Sequence, residues 1–259
     1  MTTTDIDKRT NQTSSIAKII GGSIWDYGIP TPLPKIDARI TKINEPQMQT
    51  PDEREAERER STREYIEAQR RADIRAYYAA IISHYPNMAP DKTRWDDARL
   101  KPHAEAIARV IRWVPDSDKG LLLSGPTGRG KSRALFALME RLANDGRRFS
   151  FSFAGDWFAS LGRQVRYGRD EAAEWVDAWA AKPILILDDI GQEAVLARNE
   201  DWAQAHFFRL LDLRCAKGLP LIASTNLTAD QMAATTGKGI RSDPLIRRLL
   251  DLCEVVRFV

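Results

Sequence analysis

Apolar residues are spaced in two ways along the chain, and the two spacings predict different elements. Short apolar runs predict five β-strands, at residues 121–124, 149–153, 184–188, 219–224 and 254–258. Between these runs, apolar residues recur every three or four positions, which predicts helices, as at Leu135, Leu138, Met139 and Leu142. Strands that alternate with helices predict an α/β fold, in which helices cover both faces of a parallel sheet and ligands bind at the carboxyl ends of the strands.

The first 86 residues follow a different pattern. Residues 1–50 are rich in Thr, Pro, Ser and Asn, and we expect them to form a disordered tail. Residues 51–86 are rich in Glu and Arg and predict a charged helix that ends before Pro86. The second half of this helix has an apolar face to bury, formed by Ile74, Tyr77, Tyr78, Ile81 and Tyr85. A globular domain is expected over residues 87–259.

Composition limits the classes of protein that need to be considered. With 259 residues, 43% of them hydrophobic, the chain can bury one core of ordinary domain size plus an appendage. A net charge of +3 neither demands nor excludes nucleic acid. Cys215 and Cys253 lack the spacing of metal ligands and are expected to be small buried hydrophobes. No apolar run reaches the ~20 residues of a membrane helix, and no signal peptide is evident, so we expect a cytoplasmic protein without a membrane partner.

A phosphate-binding motif lies directly after the first predicted strand and opens a helical pattern. Such a loop turns its backbone N–H groups toward a triphosphate, and the helix N-terminus adds partial positive charge, so the motif predicts binding of ATP. Lys131 is expected to bridge the outer phosphates, and the Ser132 hydroxyl to coordinate Mg²⁺. The residues that fit the pattern G-x-x-x-x-G-K-[ST] are Gly125, Pro126, Thr127, Gly128, Arg129, Gly130, Lys131 and Ser132.

Two later strands end in polar residues that suit the same site. Asp188 and Asp189 follow an apolar run, so Asp188 is expected to hold Mg²⁺ through its water shell and Asp189 to orient or deprotonate the attacking water. Paired acids at this place could instead form a helix cap or a turn. Asn226 follows the fourth strand and is expected to contact the γ-phosphate and the water, although Asn is also a common turn residue.

A short helix near the C-terminus carries a candidate for a catalytic arginine. Leu245, Leu249 and Leu252 share one face of this helix, and Arg248 lies at the edge of that face. From there Arg248 could reach the γ-phosphate bound to a neighbouring copy and stabilise transition-state charge. A solvated surface arginine is the ordinary alternative, and Arg241 and Arg247 are rival candidates.

The order of these motifs resembles the AAA+ ATPases of the DnaC/IstB group. The resemblance covers roughly residues 92–259 and includes the Phe-Phe-Arg-Leu-Leu-Asp-Leu-Arg segment at 207–214 before the Ser-Thr-Asn strand. It implies a five-stranded parallel sheet with the P-loop strand in the centre, a truncated lid, weak ATPase activity when alone, and a homo-oligomer. Arg248-Leu249 matches the group's arginine-finger motif, in which an arginine reaches the γ-phosphate bound to a neighbouring copy. Most related ATPases carry Glu where this chain has the shorter Asp189.

The resemblance also implies a role in DNA replication as a loader of a replicative helicase. The expected partners are that helicase, held through residues 1–86, and single-stranded DNA. The expected DNA-binding segment spans residues 156–169, with Arg163, Arg166, Tyr167 and Arg169; the alternative is a solvated helix face with Trp157 and Phe158 in the core. Two other functions fit as well: a transposition helper ATPase that acts on duplex DNA and a transposase, and an ATP-dependent binding switch without turnover.

Overall fold

Five parallel strands form the centre of the molecule in the computed structural model, which describes residues 51–117, 119–191, 201–227 and 244–259. The strands are β1 (Gly120–Ser124), β2 (Ser150–Phe153), β3 (Leu185–Asp188), β4 (Leu221–Thr225) and β5 (Cys253–Arg257). Their order across the sheet is β2-β3-β4-β1-β5, and every pairing is parallel. The α/β fold and the five-stranded parallel sheet are therefore confirmed. The P-loop strand β1 is an interior strand between β4 and β5, whereas the central strand is β4 and not β1 as the resemblance implied.

Seven helices of the described residues surround this sheet. They are α1 (Pro51–His84), α2 (Ala104–Arg112), α3 (Lys131–Asn144), α4 (Ala154–Tyr167), α5 (Arg169–Ala180), α6 (Asp201–Lys217) and α7 (Pro244–Leu252). Short 3₁₀ turns lie at Pro86–Met88, Pro90–Lys92 and Lys101–His103. Among these helices, none is both long enough and apolar enough to cross a membrane.

The predicted strands all exist, with ends that differ by one or two residues. The largest difference is at β4, which begins at Leu221 rather than at residue 219. Pro220 has no backbone N–H to donate to a neighbouring strand, and its carbonyl instead accepts from the Leu185 N–H at 3.4 Å. The ladder between β3 and β4 therefore starts just after the proline.

The two faces of the sheet are covered by different helices, because successive residues of a strand point to opposite faces. Leu121 and Leu123 of β1 belong to a core cluster with residues of α1, α2 and α3, whereas Leu122 belongs to a second cluster with residues of α4 to α7. The helix-spaced residues Leu135, Leu138, Met139 and Leu142 of α3 are fully buried, as their spacing predicts. The sheet is thus the middle layer of three.

Helix α1 joins this core through its second half alone. The side chains of Ile74 and Ile81 are buried in the cluster beneath α3, and the Tyr77 hydroxyl accepts the outward N–H of Phe151 on the edge strand β2, at 3.2 Å. Before residue 73 the helix is exposed almost throughout, including Tyr65 and Ile66. The packed core therefore begins near Ile74, ahead of the boundary expected at residue 87. The predicted disordered tail, residues 1–50, lies outside the described residues.

Candidate nucleotide site

Three of the predicted segments meet at one edge of the sheet. Lys131 begins α3 just after β1, Asp188 ends β3, and Asn226 directly follows β4. Strands β3, β4 and β1 are neighbours in the sheet, and their carboxyl ends lie at the same edge because all are parallel. Lys131 and Asn226, which are 95 positions apart in the sequence, are in this way brought within hydrogen-bonding distance.

The phosphate-binding loop takes a shape that depends on glycine. Gly125 has φ of 150°, and a Cβ atom at this position would lie 2.0 Å from the Phe258 carbonyl oxygen. Gly130 has φ of 92°, in the left-handed region that favours glycine, and caps the N-terminus of α3. Between them, Pro126, Thr127, Gly128 and Arg129 are exposed. The loop therefore opens to solvent at the N-terminus of a helix, which is a favourable place for phosphate.

Lys131 is buried beneath this loop, with 6% of its surface exposed. Its ammonium group donates to the carbonyls of Gly125 at 2.6 Å and Pro126 at 2.9 Å, and to Oδ1 of Asn226 at 2.8 Å. Burial lowers the pKa of Lys131, and the carboxylates of Asp189 and Asp188 oppose that change. The cation is thus held between the loop and the two acids.

Asn226 connects Lys131 with the second acid of the pair. Its Oδ1 accepts from Lys131, and its Nδ2 donates to Oδ1 of Asp189 at 2.7 Å. Both functional atoms of the amide are therefore used, which also fixes which end is oxygen and which is nitrogen. The order Lys131, Asn226, Asp189 is a continuous chain of hydrogen bonds across the carboxyl ends of β1, β4 and β3.

Asp188 differs from Asp189 because it is completely buried. Its Oδ1 accepts a hydrogen bond from the Ser224 hydroxyl, while its Oδ2 has no hydrogen-bond partner among the described residues. Burial raises the pKa of Asp188, and the hydroxyls of Ser224 and Ser132 oppose that rise. A buried carboxylate oxygen without a donor, close to the Ser132 hydroxyl, suits a hard cation such as Mg²⁺.

The candidate finger, Arg248, lies apart from this chain's own phosphate loop. It is on α7, where Leu245, Leu249 and Leu252 are buried as their spacing predicts. Its guanidinium is 2.9 Å from a carboxylate oxygen of Asp212 on α6, and 41% of the side chain is exposed. The rival Arg247 is exposed on the same helix, and Arg241 lies outside the described residues.

The expected DNA-binding segment divides into a buried part and an exposed part. Trp157 and Phe158 of α4 belong to the core and offer no face for stacking of bases. Tyr167, at the end of the same helix, is 78% exposed. Helix α4 ends there and Arg169 begins α5, so Arg166, Tyr167 and Arg169 cluster around one corner.

One buried residue of the site was not anticipated. Ser224 contacts both acids of the Asp188-Asp189 pair, although it is a small residue within an apolar strand. The signal that was available is its place, since a hydroxyl two residues before Asn226 in a parallel strand points to the same layer of the sheet. The spacing alone gives no partner for it, because the partners belong to another strand.

Comparison with known proteins agrees with this arrangement. A protein of Mycobacterium tuberculosis, named for ATP binding and for its place in an insertion sequence, is 26% identical over 145 residues, which are 55% of this chain and 54% of that protein. The chain therefore spans about half the length of this relative.

Two solved structures share the fold. The DnaC helicase loader superposes with a TM-score of 0.51 at 20% identity, covering 67% of this chain and 98% of that one. AMPPCP-bound DnaA from Aquifex aeolicus superposes with a TM-score of 0.50 at 17% identity, covering 66% of this chain and 50% of that one. At these identities the likeness concerns the fold alone.

The family of the protein is shown by a match to a protein-family model, and this match covers the whole candidate site. The model of the IstB-like ATP binding proteins matches residues 93–259, well over half of the chain. This range contains the phosphate loop, both acids and Asn226, which the fold brings together at one edge of the sheet. The protein therefore belongs to the family of IstB-like ATP binding proteins.

Proposed function

We propose that the protein hydrolyses ATP with Mg²⁺ at this site and uses the cycle to control a partner protein on DNA. The observation that carries the proposal is the hydrogen-bond chain from Lys131 through Asn226 to Asp189. It joins a group suited to the outer phosphates with a group suited to the attacking water. A site that only stored nucleotide would not need this second half.

Each residue has a role in the proposed reaction that follows from its surroundings. The loop amides and Lys131 bind the phosphates, so Lys131 exchanges its carbonyl partners for phosphate oxygens. Ser132 and Oδ2 of Asp188, which has no hydrogen-bond partner among the described residues, would hold the magnesium ion. When bound, Mg²⁺ neutralises the charge that develops on the phosphates.

Asp189 and Asn226 act on the water. The Asp189 carboxylate accepts a proton from the water or orients it toward the γ-phosphorus, and the Asn226 amide holds that carboxylate in place. The Asp189 side chain is one methylene shorter than that of Glu. Its carboxylate is nevertheless held in place, because it accepts a hydrogen bond from the Asn226 amide at the end of β4. We infer that Asp189 is the general base of a slow ATPase.

The test is phosphate release from ATP by the full chain with Mg²⁺, with and without single-stranded DNA. Asp189→Asn is expected to lower turnover about 100-fold or more while ATP still binds, since general bases typically contribute 10² to 10⁴ in rate. Asp145→Asn is the matched control, because Asp145 is an exposed carboxylate paired with Arg141 at the far end of α3. Turnover by Asp189→Asn equal to that of the wild type would contradict the proposal, and no release by the wild type in any condition would favour the binding switch.

We propose a replicative helicase as the partner, loaded onto single-stranded DNA. The fold shared with the DnaC helicase loader and the exposed first half of α1 support this proposal. That half of the helix offers charged side chains together with Tyr65 and Ile66, outside the packed core. The corner formed by Arg166, Tyr167 and Arg169 offers cations and an aromatic ring to a single strand.

A transposition helper is the second candidate, and a specific observation favours it. The family match is to IstB-like proteins, and the Mycobacterium tuberculosis relative is named for its insertion sequence. The two candidates are separated by pull-down of the full chain against a replicative helicase and against a transposase, each with ATP present. Retention of the helicase with preference for single-stranded DNA supports the loader; retention of the transposase with preference for duplex DNA replaces it by the helper.

A further inference from the structure

Ser224 is the one buried hydroxyl that contacts both acids of the candidate site in the described part of the chain. It lies in β4, is 1% exposed, and is two residues before Asn226. We propose that Ser224 is a positioning residue for ATP hydrolysis, which sets the conformation of Asp189 and the orientation of the Asp188 carboxylate together. This inference rests on the proposed function, since it assigns a further residue to that reaction.

The first part of the argument concerns the backbone of Asp189. Asp189 has φ of 58°, the left-handed region that side chains other than glycine rarely adopt. Such a conformation persists only where the surroundings hold it. The N–H of Asp189 donates to the Ser224 hydroxyl at 2.9 Å, and the N–H of Ile190 donates to the Ser224 carbonyl at 2.7 Å. Ser224 therefore fixes the peptide groups on both sides of the strained residue.

The second part concerns the Asp188 carboxylate. The Ser224 hydroxyl has one proton, and because its oxygen accepts the Asp189 N–H, that proton is free to go to Oδ1 of Asp188. The bond engages one carboxylate oxygen and leaves Oδ2 without a partner among the described residues. Because the Ser224 hydroxyl occupies Oδ1, it leaves Oδ2 of Asp188 as the oxygen that we assign to the magnesium site.

Taken together, these contacts mean that residues of strand β4 and its end position both Asp188 and Asp189. Ser224 fixes the backbone of Asp189, and Asn226, two residues later on the same side of the chain, fixes its carboxylate at 2.7 Å. Loss of the hydroxyl would leave the Asp189 N–H without its acceptor, while the Ile190 N–H stays bound to the carbonyl of residue 224 and the Asp189 carboxylate stays bound to Asn226. With this constraint gone, the Asp189 backbone would relax from its strained conformation and shift the carboxylate relative to the water, and Asp188 would lose the donor that fixes its plane.

The test compares Ser224→Ala with Ser224→Thr, which keeps the hydroxyl. For Ser224→Ala we expect kcat to fall about 10- to 100-fold, because displacements of about 1 Å at a catalytic group have effects of this size. The KM for ATP should change much less, since Lys131 and the loop are untouched. Ser224→Thr should retain most of the turnover. Ser152→Ala is the matched control, because Ser152 is a half-buried strand serine on β2 whose hydroxyl donates to the Phe153 carbonyl.

A second measurement keeps the inference testable if the protein proves to be a switch without turnover. The Mg²⁺ concentration that half-maximally supports binding of a fluorescent ATP analogue should rise about tenfold in Ser224→Ala and not in Ser224→Thr, as for losses of groups that orient metal ligands. No turnover by the wild type overturns the proposed hydrolysis but leaves this readout intact. Unchanged kcat and Mg²⁺ midpoint in Ser224→Ala, or equal impairment of Ser224→Thr, would show that the hydroxyl does not position the acids.

Discussion

Lys131→Ala is expected to lower kcat/KM for ATP hydrolysis about 100-fold or more, because loss of one preorganised charged donor has effects of at least this size. The lysine is buried and donates to Gly125, Pro126 and Asn226, so its removal takes away the phosphate ligand and also releases the loop and the Asn226 amide. Titration calorimetry with ATP and an assay of phosphate release measure the two effects separately.

The control for this variant is Lys92→Ala. Lys92 is exposed at the end of a short turn, so this variant should bind and hydrolyse ATP as the wild type does.

The Lys131→Ala variant also tests the role of Arg248. If Arg248 acts on the site of a neighbouring copy, Arg248→Ala and Lys131→Ala are each inactive, but their mixture recovers turnover, because one interface then has an intact site and an intact finger. Arg247→Ala in place of Arg248→Ala should be active alone. Full activity of Lys131→Ala would refute the assignment of the loop, and a mixture no better than its parts would remove Arg248.

The nucleotide site was largely predictable because its signals are local in sequence. A phosphate loop needs glycines and a lysine at fixed spacing, and Gly125, Gly130 and Lys131 meet that need within seven positions. Asp188 and Asn226 could also be placed, since both follow apolar runs and parallel strands end at the same edge. What the spacing could not supply was the hydrogen bond between Asn226 and Asp189, which joins two separate strand ends.

The features that the sequence did not predict depend on contacts between residues that are far apart in the sequence, or on a side chain whose environment is unusual for its type. Ser224 has the appearance of a strand residue, and its role depends on the strained backbone of Asp189, which no local pattern indicates. The apolar face of helix α1 was predicted, and Ile74 and Ile81 are buried as expected; what the sequence did not indicate is that this face packs beneath α3. In both cases the tertiary contact, rather than the local preference, decides the outcome.

Arg214 is the third such feature, and it bears on the stability of the sheet. It occurs in the motif before β4, where a surface arginine would be ordinary, yet it is completely buried. Its guanidinium donates to the carbonyls of Ala180 at 3.2 Å, Lys182 at 2.8 Å and Pro220. These carbonyls lie at the end of α5 and just before β3 and β4. Burial lowers the pKa of Arg214 to about 10, so the group remains charged at neutral pH.

Arg214→Met is therefore expected to lower the free energy of unfolding by about 2 to 4 kcal/mol, because buried carbonyls that lose a charged donor cost roughly 1 to 3 kcal/mol each, offset by the removal of a buried charge. Arg209→Met is the matched control on the same helix. Its guanidinium pairs with Asp177 at the surface, at 2.7 Å, and such exposed pairs contribute about 1 kcal/mol or less. Urea unfolding followed by circular dichroism gives both values. A loss in Arg214→Met no larger than that in Arg209→Met would mean that the carbonyls find water instead; a larger loss would show that β3 and β4, whose far ends hold Asp188 and Asn226, are anchored at their beginnings by one buried cation.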